Sequence, residues 1–313
     1  MASELTKITD LIIPEILSPY LIEDTIHKSA FINSGIATSD PSVNLSEGGT
    51  TVSIPFFKRT GAIGQVLVEG QDIETKKIVA SKSIGAVHAL GMGFAVSDLS
   101  KHFSGSDPIG ALSLELSDDW AQTYQQVAIA SLEGVFGVTE MAASVLDASS
   151  QVLTADMMAD AGFLIGDNYS KISCVAMHSA VLATLKKLEL VDWVQPSAME
   201  PGYNTYMEKR VIVDDDIAPT AGVYPIYFFG EGSLAYNENE KNISVEYVRN
   251  AAKKQDEIYS SRIFTMHPRG MQWVGSPAGV SPTLDELKVS SNWKLAAERK
   301  NVAISMLKAK LTA

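Results

Sequence analysis

The sequence predicts a mixed α+β chain, and three observations carry that reading. A single helix-forming stretch of unusual length fills residues 108–136. Period-two strand patterns precede it over 49–98, and strand and helix patterns alternate over about 166–260 before two more strands.

The 313 residues suit one large domain or two ordinary ones, on a scale of ~100–200 residues per domain. With 46% hydrophobic and 20% charged residues, the composition is globular rather than disordered. The 25 basic and 37 acidic residues leave a net charge of −12 and a pI near 4.9. A chain whose task is to grip nucleic acid by its phosphates is expected to be basic, so that class is disfavoured. No apolar run approaches the ~18 residues of a membrane span, and the best, Leu11-Ile12-Ile13, breaks at Pro14. The start Met-Ala-Ser-Glu-Leu-Thr has no basic region followed by an apolar core, so export by a signal peptide is not expected. The single Cys174 excludes an internal disulfide and any multi-cysteine metal site, and a reducing compartment is expected. Charge is uneven. Residues 1–150 hold 8 Lys/Arg and 18 Asp/Glu, whereas 287–313 carry six basic residues against Glu298 alone. An acidic front and a basic tail are able to attract each other between copies, or to stand as two differently solvated surfaces.

Residues 1–50 read as an arm. Leu11, Ile12, Ile13, Ile16, Leu17, Tyr20, Leu21 and Ile22 are interrupted by Pro14 and Pro19, leaving a short helix over about 19–27 and polar extended chain through Thr38-Ser39-Asp40-Pro41. Apolar residues without a long element of their own need another surface, such as a neighbouring subunit. Thr51-Val52-Ser53-Ile54 alternates as a strand that Pro55-Phe56-Phe57 closes. A glycine-rich, acid-flanked excursion follows to Val96. An isolated hairpin of that length is marginal in water, so 58–82 are expected to gain order against neighbours.

Asp107-Pro108 opens the long helix, with Asp107 as N-cap and Pro108 at its first position. Ile109, Leu112, Leu116, Trp120, Tyr124, Val127, Leu132 and Val135 recur every three or four residues, and Gly134 and Gly137 are expected to end it. The span reaches roughly 43 Å at ~1.5 Å per residue. Lacking a heptad continuation, it reads as a spine rather than a coiled coil. A helix near 154–161 is expected next, then a strand over 172–177 and a helix over 179–188 with Val181, Leu182, Leu185 and Leu188 inward. Strands follow at 210–213, 223–229 and 233–236. The alternation over 166–260 suggests a separate α/β subdomain. Strands return at 262–267 and 271–274, and Thr283-x-x-Glu286 forms a capping box. Residues 292–311 fit either one amphipathic helix or a helix followed by a strand at 302–306.

Sites for chemistry are sparse. Gly230-Glu231-Gly232-Ser233-Leu234-Ala235 fits the dinucleotide pattern G-x-G-x-x-A, but the polar run after it has no helical apolar face, so it reads as a turn. Asp214-Asp215-Asp216 offers oxygen ligands of the kind Mg²⁺ or Ca²⁺ take, yet beside Ile217-Ala218-Pro219 it reads as a solvated turn. None of His27, His88, His102, His178 and His267 forms an H-x-x-x-H pair. His178-Ser179 are adjacent, which does not place them face to face on a helix, and Ser179 is expected to cap the helix after it. Cys174 reads as a small buried residue.

Several segments together resemble the major capsid proteins of tailed bacteriophages. They are the run from Ile13 to Tyr20, Lys28-Ser29-Ala30, Ser34-Gly35 and Pro55-Phe56-Phe57, then Asp107-Pro108 with Trp120. Ala176 to Val181, Arg210 to Asp215, His267-Pro268-Arg269-Gly270 with Trp273, and Asn292-Trp293 complete the match. These span nearly the whole chain in order, and none is a catalytic signature. The resemblance implies the Hong-Kong-97-like capsid fold. Its parts here are an N-terminal arm (1–50), an extended E-loop hairpin with flanking strands (51–98), a peripheral domain with a spine helix at 108–136 (99–165), an axial domain (166–260) and a return to the peripheral domain (261–313). It also implies a structural protein that assembles into hexamers and pentamers of an icosahedral head enclosing double-stranded DNA. Family-like sequence begins within the first fifteen residues, so any scaffold is expected to be a separate protein. No lysine or asparagine can be matched for subunit cross-linking.

On this reading the chain is not an enzyme and needs no cofactor or metal. Its partners are itself, a portal protein and, where used, separate scaffolding, protease and decoration proteins. DNA is met only weakly, and membranes are not involved. Assembly is expected in the host bacterial cytoplasm and residence in the virion. The inter-subunit contacts expected are Lys58, Arg59, Glu69, Asp72, Glu74, Lys76 and Lys77. The alternatives are an encapsulin-like compartment shell and, from another class, a soluble enzyme using Asp214–Asp216.

Overall fold

The structure is a computed structural model that describes residues 30–40, 45, 49–58, 66, 72, 75, 77–98, 108–194, 202–239 and 244–312. The expected helix over 19–27 and the N-cap Asp107 lie outside these residues.

A single helical turn, Ala30–Asn33 (α1), leads into Ala37–Ser39 (β1), so the expected extended stretch is partly helical. Thr51–Phe57 (β2) pairs antiparallel with Ala80–Ala86 (β3) as a two-stranded sheet of their own. Pro55 lies within β2, where an edge strand tolerates its missing N–H. His88–Ser97 (β4) departs to another sheet.

Pro108–Phe136 (α2) has the expected bounds. Leu116, Trp120, Tyr124, Val127, Leu132 and Val135 are all buried along it. Gly134, however, does not end the helix; it lies inside the last turn. There a Cβ would fall on the Leu287 carbonyl oxygen and 2.6 Å from Trp293 Nε1, so glycine serves close packing rather than termination.

Next come Val145–Val152 (β5), Ala155–Phe163 (α3), Ile172–Met177 (β6), Ser179–Lys187 (α4), Asp192–Val194 (β7), Tyr203–Tyr206 (β8), Lys209–Val213 (β9) and Val223–Gly230 (β10). Leu234–Glu238 (β11), Ser244–Asn250 (β12), Gln255–Pro268 (β13) and Met271–Trp273 (β14) follow. Leu284–Lys288 (α5), Trp293–Leu295 (β15) and Ile304–Lys310 (β16) complete the described elements. Residues 292–311 hold no α-helix: the single-helix alternative fails, and of the other the helix is replaced by the short strand β15, while its strand stands, at 304–310, because β10 and β5 accept it between them. Leu188 is exposed rather than inward, since α4 stops at Lys187. Among the described residues, no helix is long and apolar enough to cross a membrane.

The seven-stranded sheet runs β5-β16-β10-β6-β9-β8-β7. Its period of two sends Cys174, Ala176, Tyr227, Phe229, Ile304 and Met306 to the core around α2. Val175, Met177, Ile226, Phe228, Leu307 and Ala309 go to the opposite face, under Met158, Ala161, Val181 and Leu185 of α3 and α4. The span 166–260 therefore does not close on itself: the sheet takes β5 and β16 from outside it and gives up β11, β12 and part of β13.

Those strands build the second sheet. Its axis is β13, 14 residues long, flanked by β11 and β12 on one side and β4 on the other, with β1 parallel to β11. A buried polar cluster ties this sheet to α2. Arg262, fully buried, donates to the Tyr124 hydroxyl at 2.9 Å and lies 3.5 Å from Glu238. Tyr124 and Tyr236 each donate to Glu238 at 2.7 Å, and burial pushes both phenols up, keeping them protonated donors. The guanidinium also lies 5.1 Å from the Trp120 ring centroid.

Candidate assembly surfaces

The hairpin β2–β3 is supported at one end and not at the other. Its foot is held by Leu45, Val52 and Val87 with Ile54 and Ile263, and by the Val87 N–H donating to the Thr50 carbonyl. Toward the far end, Phe57 is 76% and Ile78 69% exposed, with Val79 also exposed. No described residue covers these apolar side chains, and exposed apolar patches of this kind are typical of interaction surfaces. The Lys58 N–H donates to the Val79 carbonyl at 2.9 Å, bringing Lys58 and Lys77 to the same end of the ladder. Lys58, Asp72 and Lys77 are exposed; Arg59, Glu69, Glu74 and Lys76 lie outside the described residues.

Beneath the hairpin lies a cleft of about 510 Å³, lined by Ile54, Phe56, Lys58, Arg269, Ala296 and Ala297 among others. Arg269 pairs with Asp40 there at 2.7 Å. Ser83 Oγ and His267 Nε2 are 3.0 Å apart in its wall, a spacing that invites a nucleophile reading. The protons argue against it. Both groups donate to the same Met271 carbonyl, so Nε2 carries its hydrogen and has no lone pair for the serine. Nδ1 has no hydrogen-bond partner among the described residues, so nothing orients the ring as a base.

The acidic run does not converge. Asp214 is buried and accepts from Asp216 N–H at 2.9 Å and from the Gln125 amide on α2; burial raises its pKa. Asp215 turns the other way and accepts from the Ser179 N–H at 3.0 Å, which lowers its pKa. Among the described residues, no group of three or more His, Cys, Asp or Glu is placed to hold a metal ion. His178, not Ser179, caps α4, its Nδ1 accepting from the Ala180 N–H at 3.0 Å. Cys174 is buried, and burial raises its thiol pKa. Gly230–Ala235 is a turn from β10 into the strand β11, with Gly232 at φ +62° and no helix start to face a phosphate.

One surface escaped the sequence reading. β7 is the edge of the seven-stranded sheet, and all three of its residues are exposed, Trp193 by 63%. Its indole lies so close over Gly202 that a Cβ there would come within 2.5 Å, so the ring is held in place while exposed. The signal available was a tryptophan beyond the helical periodicity of 179–188, in the short run Val191-Asp192-Trp193-Val194 before Gln195-Pro196.

Residues 107–304 match the family described as "Major capsid protein 13-like". The chain is 34% identical over 321 aligned positions to the major capsid protein of Bacillus phage SPP1, covering 98% of this chain and 99% of that one. Among solved structures, the capsid of Ralstonia phage GP4 aligns with a TM-score of 0.61 at 9% identity, over 88% of this chain and 87% of that one. The capsid of a native GTA particle aligns with a TM-score of 0.56 at 12% identity, over 90% of each chain.

Proposed function

This chain belongs to the phage major capsid protein family, and from that premise we propose how it builds a head. It is a structural protein of a tailed-phage capsid, with the Hong-Kong-97-like fold, and its place is the virion. In our reading it assembles in the host cytoplasm into hexamers and pentamers of an icosahedral shell that encloses double-stranded DNA. The arm is 1–50, the E-loop region 51–98 and the peripheral domain 99–165 with 261–313; the axial domain, 166–260 by sequence, is completed by β5 and β16 from outside that span and yields β11, β12 and part of β13 to the second sheet. The observation that carries the reading is the hairpin: a lone two-stranded sheet with Phe57, Ile78 and Val79 uncovered at its far end. Neighbouring copies cover it, with Lys58, Arg59, Glu69, Asp72, Glu74, Lys76 and Lys77 as polar contacts. The exposed Trp193 edge is a second contact between copies.

No catalytic role belongs to the chain in this reading. With −12 per copy, the shell opposes spontaneous uptake of an equally negative polymer, so filling needs a motor acting at a portal. Portal, scaffolding, protease and decoration proteins, where used, are further partners of the shell.

The test is assembly of the purified protein, followed by size-exclusion chromatography and negative-stain microscopy. The full chain is expected as megadalton shells. Replacing 59–76 by a short glycine–serine turn is expected to leave folded subunits that form none. Normal shells from that deletion, or a small oligomer with hydrolase activity lost in Asp214→Ala, would contradict the proposal. Affinity for duplex DNA is expected to be weaker than micromolar in physiological salt, and shell yield to depend on ionic strength.

A further inference from the structure

A single residue, Val87, separates β3 in the hairpin from β4 in the five-stranded sheet. The hairpin's angle is therefore set by whatever holds residues 83–88. Two imidazoles sit at that joint, His88 and His267, each 1% exposed. His267 Nε2 donates to the Met271 carbonyl at 2.9 Å, beside Ser83 Oγ of the hairpin. Its ring stacks on Trp293 at 5.9 Å. The hairpin backbone also lies against this ring, for a Cβ on Gly85 would be 3.2 Å from it. His88 tilts against Phe264 at 5.3 Å. Nδ1 of both rings is buried without a hydrogen-bond partner among the described residues.

We propose that His88 and His267 form an acid-released latch: the neutral rings seat the hairpin, and their protonation frees it to swing about Val87. A proton added to His267 goes to Nδ1, because Nε2 already donates, and creates a buried N–H donor with no acceptor among the described residues; a proton added to His88 charges a ring equally buried. The carboxylates nearby are engaged, Asp40 by Arg269 at 2.7 Å and Glu238 by Arg262 at 3.5 Å, and Lys58 and Glu298 line the cleft beneath the hairpin. Burial, and secondarily His267, lowers the pKa of His88 to about 4. Burial also lowers that of His267 to about 4; the Met271 bond opposes the shift and Arg269 adds to it.

An imidazole released into water titrates near 6.5. Between pH 6.5 and about 4 the open form binds more protons than the seated form, so the latch is intact above 6.5 and weakens as pH falls toward 4. The gap multiplies the opening constant by up to about 300-fold per ring. The latch is a property of the subunit's own fold, so it stands apart from the assembly reading.

The test is amide hydrogen exchange on the full-length, unassembled chain, corrected for the intrinsic effect of pH. Between pH 7 and 5, the amides of 51–57 and 80–86 are expected to lose at least tenfold more protection than those of 172–177. His88→Gln and His267→Gln, the latter keeping a donor for Met271, are expected to diminish that acid step one ring at a time and to keep protection at pH 7 within about threefold. Parallel loss in hairpin and central strand, or an acid step unchanged in both variants, overturns the proposal. Where a variant does not fold, titration of the five histidines of the unaltered chain by NMR decides. Two rings titrating below pH 5 together with the hairpin amides support the latch, and all five titrating near 6.5 refute it.

Discussion

The seven-stranded sheet and the hairpin are built from similar strand-forming residues and reach opposite ends. In the sheet, β6 and β10 bury side chains on both faces, against α2 on one side and α3 and α4 on the other. In the hairpin, Val52 is buried on one face while Phe57, five residues further out and on the other face, stands in solvent. The difference lies in what arrives from far along the chain: β6 receives β9 and β10, whereas among the described residues β2 pairs with β3 alone. Residues of equal strand propensity are thus divided into those that hold the subunit together and those that no described residue covers.

Four substitutions sharpen or break that division, taken from the largest effect on subunit stability to the smallest. Arg262→Met strands Glu238 as a buried, unpaired carboxylate and is expected to cost about 3–5 kcal/mol, read by denaturant unfolding of the full chain. A loss under 1 kcal/mol would remove the polar cluster from the account of how α2 is tied to its sheet. Gly134→Ala sets two effects against each other. Alanine favours a helix interior by about 1 kcal/mol, but its methyl meets the Leu287 carbonyl and the Trp293 indole, and overpacking costs about 1–3 kcal/mol. Net destabilisation is expected, and a higher melting temperature would show that α5 does not approach so closely. Thr283→Ala opens the capping box in which Thr283 and Glu286 satisfy each other's backbone, with an expected loss of about 1 kcal/mol. Phe57→Ser is expected to change subunit stability by no more than about 0.5 kcal/mol while sharply lowering shell yield. Equal damage to both would erase the distinction between the two regions.

Much of the architecture was legible where the signal is local. Pro108, the three-and-four spacing to Val135 and the Thr283–Glu286 pair each act within one or two turns, and those elements stand where the pattern put them. Misreadings occur where a distant residue decides. Gly134 looked like a stop because its partner, Leu287, is 153 positions away. Residues 304–310 were ambiguous because two remote strands, not their own periodicity, make them a strand. His178 rather than Ser179 caps α4, a choice of one residue that propensity does not resolve. The exposed apolar end of the hairpin was readable as residues with no core of their own, but the exposure of Trp193 was not, since it follows from sheet order.

The position of β16 has a consequence for synthesis. It lies between β5 and β10, so β5 has no strand to join until residues 304–310 emerge, some 150 residues after it. At about 5–20 residues per second that interval lasts roughly ten to thirty seconds. A nascent copy cut short before Ile304 lacks the strand that joins β5 to the rest of the sheet, so β5 stays unpaired within it while β10-β6-β9-β8-β7 can still pair.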